Sequence, residues 1–207
     1  MSLFVTFEGP EGSGKSTQIK LLAEALTARG CAVLTLREPG GTSIGDQIRE
    51  VLHDLRNREM HPRAEILLYN AARAQIVEQQ IKPQLARGGI VLCDRFADST
   101  VAYQGYGRGL DLDDVRHIVA FATQHLRPDL TLYLDIDVEA GLERRRVGGG
   151  EWNRMDDQAV EFYRRVRDGY LKLMADEPQR WVKIDAARSV AEVQQEIWRV
   201  VQSRIVG

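Results

Sequence analysis

Residues 3–18 read LFVTFEGPEGSGKSTQ, and the fold can be read from this stretch. Residues 3–7 are apolar or β-favouring, the pattern of a buried strand. Gly9-Pro10-Glu11-Gly12-Ser13-Gly14-Lys15-Ser16 then fits G-x-x-x-x-G-K-[ST] at every position. A helix is predicted over 16–28, because Ile19, Leu22, Ala23 and Leu26 fall on one face and Gly30 stops the run. Glycines let backbone N–H groups curl toward phosphate oxygens. The helix N-terminus adds positive potential. Lys15 is then placed for the β- and γ-phosphates, and the Ser16 hydroxyl for Mg²⁺. Chance alone would give such a match in on the order of one in a hundred chains of this length, and the strand–loop–helix setting makes coincidence rarer. Gly9 to Ser16 with Thr17 form the candidate ATP site.

Outward from this loop, strands are predicted at 31–36, 90–93, 130–134 and 181–184. Helices are predicted at 44–55, 63–85 (bent near Pro83), 112–125, 138–146, 156–174 and 190–205. Strands alternating with helices make an α/β, three-layer fold of the P-loop NTPase type, a parallel sheet flanked by helices. Ligands in such folds bind at the carboxyl ends of strands. Four segments lie there: 8–16, 37–42, 94–100 and 135–137. There is no internal repeat or linker. A single domain over 1–207 is expected, with a short lid at about 144–156 hinged on the glycines at 148–150.

The composition narrows the function. A net charge of −2 gives no support to binding a nucleic-acid polymer. Cys31 and Cys93 lie beside apolar runs and read as reduced, buried thiols. Neither a signal peptide nor a membrane-spanning run is visible, so a cytoplasmic location is expected. A GTPase would be expected to carry N-K-x-D, and no Asn-Lys pair occurs. A small kinase, or an ATP-dependent switch or ligase of similar size, remains. Asp94, at the end of a strand, is placed for the metal shell beside Ser16, and its neighbour Arg95 for phosphate.

FEGPEGSGKSTQ at 7–18, TLREPGGT at 35–42, LLYNAAR at 67–73 and DRFADSTVAYQGYGRG at 94–109, with the lid-like stretch 144–156, resemble bacterial thymidylate kinases, in order and over nearly the whole chain. The resemblance implies transfer of a phosphoryl group from MgATP to dTMP, a five-stranded parallel sheet and a homodimer. It places Tyr69 on the thymine ring, where many relatives have Phe, and Arg73 on thymine O4. It puts Ser99, Thr100 and Gln104 in the acceptor site, with Thr100 and Gln104 near the base and Tyr103 under the sugar. Thr100, Tyr103 and Gln104 converge if 98–104 is helical. Arg37 and Arg95 would hold the acceptor phosphate, and Glu11 the sugar 3′-hydroxyl or the metal's water shell. One thymine methyl is worth about 0.8 kcal/mol of burial, so discrimination against dUMP should be modest. Cytosine would set its amino group against Arg73, donor to donor.

Arg144-Arg145-Arg146, the glycines and Arg154 form a basic hinged segment. Relatives of the eukaryotic type carry an Arg in the phosphate loop where this chain has Gly12, so here the lid should supply the cation. Arg154 is the first candidate and Arg144 the second, with Lys15 and Arg95 completing the catalytic set. The loop at 186–188 is a candidate adenine contact. Two rival readings remain, a kinase for dUMP, dCMP or a nucleoside, and a nucleotide-dependent switch without turnover.

Overall fold

Strands rich in Val, Ile, Leu and Phe on both faces need cover on both faces, and the helices supply it. The structure is a computed structural model that describes residues 2–148 and 152–206. The strands are β1 (Leu3–Glu8), β2 (Val33–Arg37), β3 (Ile90–Asp94), β4 (Leu130–Asp135) and β5 (Trp181–Asp185). They form one parallel sheet in the order β2-β3-β1-β4-β5. β1 is therefore central, with its carboxyl end between those of β3 and β4.

The helices are α1 (Lys15–Thr27), α2 (Ser43–His53), α3 (Pro62–Ile76), α4 (Lys82–Ala86), α5 (Ala97–Thr100), α6 (Leu112–Thr123), α7 (Val138–Val147), α8 (Val160–Asp176) and α9 (Val190–Val206). On one side of the sheet, Leu3, Val5 and Phe7 pack with Leu22 and Leu26 of α1 and Val193 and Ile197 of α9. On the other, Phe4, Val91 and Cys93 meet Ile76 and Ile81. Tyr133 and Trp181 meet Phe162 and Tyr170 of α8 on that side. Each such side chain contributes roughly 1.5–3 kcal/mol by leaving water. No helix among the described residues is long and apolar enough to cross a membrane.

Several boundaries differ from the sequence expectation for identifiable reasons. The predicted helix over 63–85 is interrupted by a π-helical turn, Val77–Ile81, before α4 resumes. Pro83 has no N–H and its ring crowds the carbonyl one turn back, and a widened turn relieves both. A second π-helical turn, Val101–Gly107, continues α5. α2 stops at His53 because Asp54 turns extended, with ψ 122°. α8 begins at Val160, four residues later than expected. Asp156 is used instead to close a turn, accepting from the Asn153 backbone N–H (3.1 Å) and Nδ2 (2.6 Å). β2 begins at Val33, which leaves Cys31 half-buried and outside the strand, whereas Cys93 is buried as expected. Beyond Gly148, the glycine hinge lies outside the described residues.

Phe4, Thr6 and Glu8 share one face of β1. Glu8 is fully buried. Its carboxylate accepts from the Phe96 backbone N–H (2.8 Å), Ser99 Oγ (2.6 Å) and Tyr170 Oη (2.7 Å). β1, the loop after β3 and α8 are thereby tied at one point. Burial, and then the charge of Asp98, push the Glu8 carboxyl up to about 7, against the opposing pull of Arg95 and the hydrogen bonds. A raised acid holds its proton longer in the folded chain than in the unfolded one. Its stabilising effect is full below the ordinary value of 4.5 and is lost as pH rises through about 7. Urea unfolding should therefore show the wild type losing stability relative to Glu8→Gln across that window, by up to on the order of 3 kcal/mol. Parallel stability profiles would mean that Glu8 titrates normally.

Candidate active site

The phosphate loop leaves β1 at Gly9 and enters α1 at Lys15. Gly14, the residue before α1, is left-handed (φ 86°) and offers no side-chain cap. The first-turn N–H groups of α1 are thus available to an anion, with Ser16 and Thr17 exposed beside them. Gly12 (φ 69°) touches α7 backbone to backbone. A Cβ at Gly12 would lie 2.0 Å from Gly141 O, and one at Gly141 would lie 2.5 Å from Glu11 O. Lys15 sits inside the loop and donates from Nζ to Gly9 O (3.1 Å), Pro10 O (2.8 Å) and Ser13 Oγ (3.2 Å). Burial, with Arg95 second, lowers its pKa to about 8. Ser16 Oγ donates to Asp94 Oδ2 at 2.7 Å. Two adjacent oxygens at the mouth of a phosphate loop are a donor set suited to a hard divalent cation such as Mg²⁺.

Arg95 follows β3 with φ 68°. Its Nη2 donates to Glu11 Oε1 (2.9 Å), and its Nη1 to Ser99 Oγ (3.3 Å) and Tyr170 Oη (3.1 Å). Its guanidinium lies 4.8 Å over the Tyr103 ring, and Tyr103 Oη donates to Glu11 Oε2 at 2.6 Å. Tyr69 and Arg73, one turn apart on α3, both line the same cleft, as do Thr100, Tyr103 and Gln104. The continuous α5 and π-helical turn produces the expected convergence of these last three. Arg37 reaches the cleft from the end of β2. Arg73 is sealed from water. It donates to Glu38 Oε2 (2.7 Å), Thr100 Oγ1 (2.6 Å), Phe96 O (3.0 Å) and, most loosely, Asn70 Oδ1 (3.3 Å). Lys15, Ser16, Asp94, Arg95, Ser99 and Glu11 line this cleft too, so the phosphate-loop end and an aromatic, hydrogen-bonding end meet in one space.

The two lid arginines singled out from the sequence lie elsewhere. Arg154 is buried, its Nη2 lies 2.6 Å from Glu65 Oε2, and its Nε donates to Leu52 O at 2.9 Å. Arg144 donates to Ala186 O (2.9 Å), on the loop read as an adenine contact. Arg145 is the lid arginine that lines the cleft, paired with Asp156 at 2.7 Å. It follows Gly141 by one helical turn and so shares the α7 face that touches the phosphate loop, a contact visible only in the fold. Asp135, expected among the ligand segments, is instead occupied by Arg167 (2.8 Å) and Lys183 (2.7 Å). The burial and partners of Glu8, Glu38 and Glu65 escaped the sequence reading, although Glu8 and Glu38 fall in the segments 8–16 and 37–42. Each is a carboxylate buried beneath the cleft, and their partners are distant in sequence.

Comparison with known proteins bears on this geometry directly. A model of the thymidylate kinase family matches residues 7–197. The chain is 54% identical to a thymidylate kinase of Roseiflexus sp. (strain RS-1), covering 98% of this chain and 94% of that one. It is 50% identical to one from Geotalea uraniireducens (strain Rf4), with 99% of each covered. A thymidylate kinase structure from Ehrlichia chaffeensis superposes with a TM-score of 0.80 at 33% identity, covering 97% of this chain and 98% of that one. Likeness over the full length, with the phosphate loop and the aromatic pocket facing one cleft, leaves one assignment: the chain belongs to the thymidylate kinase family.

Proposed function

We propose that the chain transfers the γ-phosphoryl group of ATP to dTMP, giving dTDP and ADP. The observation that carries this reading is the single cleft with Lys15, Ser16 and Asp94 at one end and Tyr69, Arg73, Thr100 and Gln104 at the other. ATP lies with its phosphates in the loop 9–16. The thymine stacks on Tyr69, its O4 displaces the loose Asn70 contact of Arg73, and Gln104 meets its imide edge. Tyr103 lies under the sugar, and Glu11 takes its 3′-hydroxyl. Arg37 and Arg95 hold the acceptor phosphate.

A dTMP phosphate oxygen is already anionic at pH 7, so the transfer needs no strong general base and no covalent enzyme intermediate. The protein's part is to align the two phosphates and to meet the charge spreading over the transferring group. Lys15 and Arg95 do this from the floor. Ser16 and Asp94 would hold Mg²⁺, which would supply charge neutralisation to the phosphates. The residues 144–156 act as a lid that excludes water, and Arg145 replaces Arg154 and Arg144 as the lid arginine nearest the chemistry. A homodimer and a cytoplasmic location belong to the same reading, by resemblance to the family.

Incubation with MgATP and dTMP should yield dTDP. A nucleotide switch would yield none, and a kcat/KM for dCMP or AMP above that for dTMP would overturn the acceptor. Lys15→Ala should abolish turnover while the circular dichroism spectrum is kept, and wild-type rates would refute the role of the loop. Arg145→Ala should lower kcat by on the order of 10³-fold with little change in dTMP affinity. Arg154→Ala should lower thermal stability instead, because it strips a buried carboxylate of a partner. The reverse pattern would return the catalytic role to Arg154.

A further inference from the structure

Glu65, on α3, is fully buried and faces the acceptor end of the cleft from behind. Its Oε1 accepts from Gln104 Nε2 (2.9 Å) and Arg108 Nε (3.1 Å). Its Oε2 accepts from Arg108 Nη2 (3.0 Å) and lies 2.6 Å from Arg154 Nη2. Burial alone would raise its carboxyl, but the Arg108 hydrogen bonds and charge, helped by Gln104 and Arg154, hold it below the ordinary range. Glu65 is therefore an anion with lone pairs only, and any neighbour must show it an N–H.

Gln104 is the one neutral member of this group. An amide side chain can turn either end toward a ligand, and the two ends have opposite hydrogen-bonding character. Against an ionised carboxylate only one orientation is tolerable, the one with Nε2 toward Glu65. Gln104 Oε1 takes no donor from the described residues and is not sealed from the cleft that the residue lines.

We propose that Glu65 is a positioning residue for base selection: by taking Gln104 Nε2 it locks the amide with its oxygen toward the acceptor base. This rests on the reading of Gln104 as a base contact. An oxygen at that point accepts the N3–H of thymine or uracil and opposes the N3 lone pair of cytosine. A reversed amide would do the opposite and would welcome cytosine. Arg73 opposes the 4-amino group independently, so Glu65 supplies one of two filters.

The test is the ratio of kcat/KM for dTMP to that for dCMP in three single variants. Glu65→Gln can no longer dictate the amide orientation. Glu65→Asp keeps the charge that Arg108 and Arg154 require and withdraws the oxygen by one methylene, so it decides the matter if Glu65→Gln does not fold. Gln104→Leu removes the reader itself. The expected result is a ratio about tenfold lower in every folded variant, with KM for dTMP rising more than kcat falls. Glu65→Asp should add no further loss in the Gln104→Leu background, because the two act through one contact. A Glu65 variant that folds and keeps the wild-type ratio, while Gln104→Leu loses it, would overturn the proposal alone. A Gln104→Leu enzyme with the wild-type ratio would overturn the base contact beneath it.

Discussion

A carboxylate closed off from water ends the first strand, and the reactive end of the molecule is hung on it. Three donors from two other elements converge on Glu8: Phe96 N–H, Ser99 Oγ and Tyr170 Oη. Two of those partners, Ser99 and Tyr170, also receive Arg95, which in turn holds Glu11. Arg95 has a positive φ, a conformation that costs a residue with a Cβ about 1–2 kcal/mol. The surroundings over-determine it. Its own N–H donates to Phe7 O at 3.0 Å, and the next N–H in the chain goes to Glu8. A strained backbone aimed at a phosphate site can persist only where its neighbours leave it no alternative.

The second constraint is steric. Gly12 and Gly141 touch backbone to backbone, so neither position has room for a side chain. An arginine at position 12 is thereby excluded, so any arginine that joins Lys15 has to come from outside the loop. The same contact supplies the answer, because it fixes one face of α7 against the phosphate loop and Arg145 lies on that face. The Arg145 backbone nitrogen would be 3.1 Å from a Cβ at Gly12. Arg144, a third of a turn away, points to the carbonyl of Ala186 instead. The glycine pair thus selects which member of the arginine run faces the cleft.

What the sequence made legible was local. The loop 9–16 announces itself by spacing, the strands by apolar runs, and Thr100, Tyr103 and Gln104 by helical interval. A parallel sheet follows from the alternation of strands and helices, and its five strands from the family resemblance. The parts that were missed depend on partners far along the chain. Glu8 meets Tyr170 across 162 positions, and Glu65 meets Gln104 across 39. Nothing in the neighbourhood of either glutamate marks it as buried, although a Glu at the end of an otherwise apolar strand is a hint. The placement of Arg154 escaped for the same reason. Its basic, hinged setting suggested a mobile lid arginine, while its ion pair lay on α3. The π-helical turns also escape, because they insert a residue into a helix without breaking its composition.

The charge pairs of the cleft differ in how easily they can be given up. Arg95 and Glu11 pair with 18% and 13% of their side chains exposed, and Arg145 and Asp156 with 24% and 3%. Arg73 and Glu38 are sealed, at 2% and 3%. Breaking a buried pair costs about 3–5 kcal/mol, whereas a pair in contact with water is worth far less. The Arg95–Glu11 pair, which water reaches from both sides, is therefore easier to part than Arg73–Glu38, which is closed on both. Arg95 and Arg145, at the phosphate-loop end of the cleft, thus sit in pairs that water reaches, and Arg73 in one that it does not. One cleft thereby has solvated ion pairs at one end and a closed hydrogen-bonding pattern at the other.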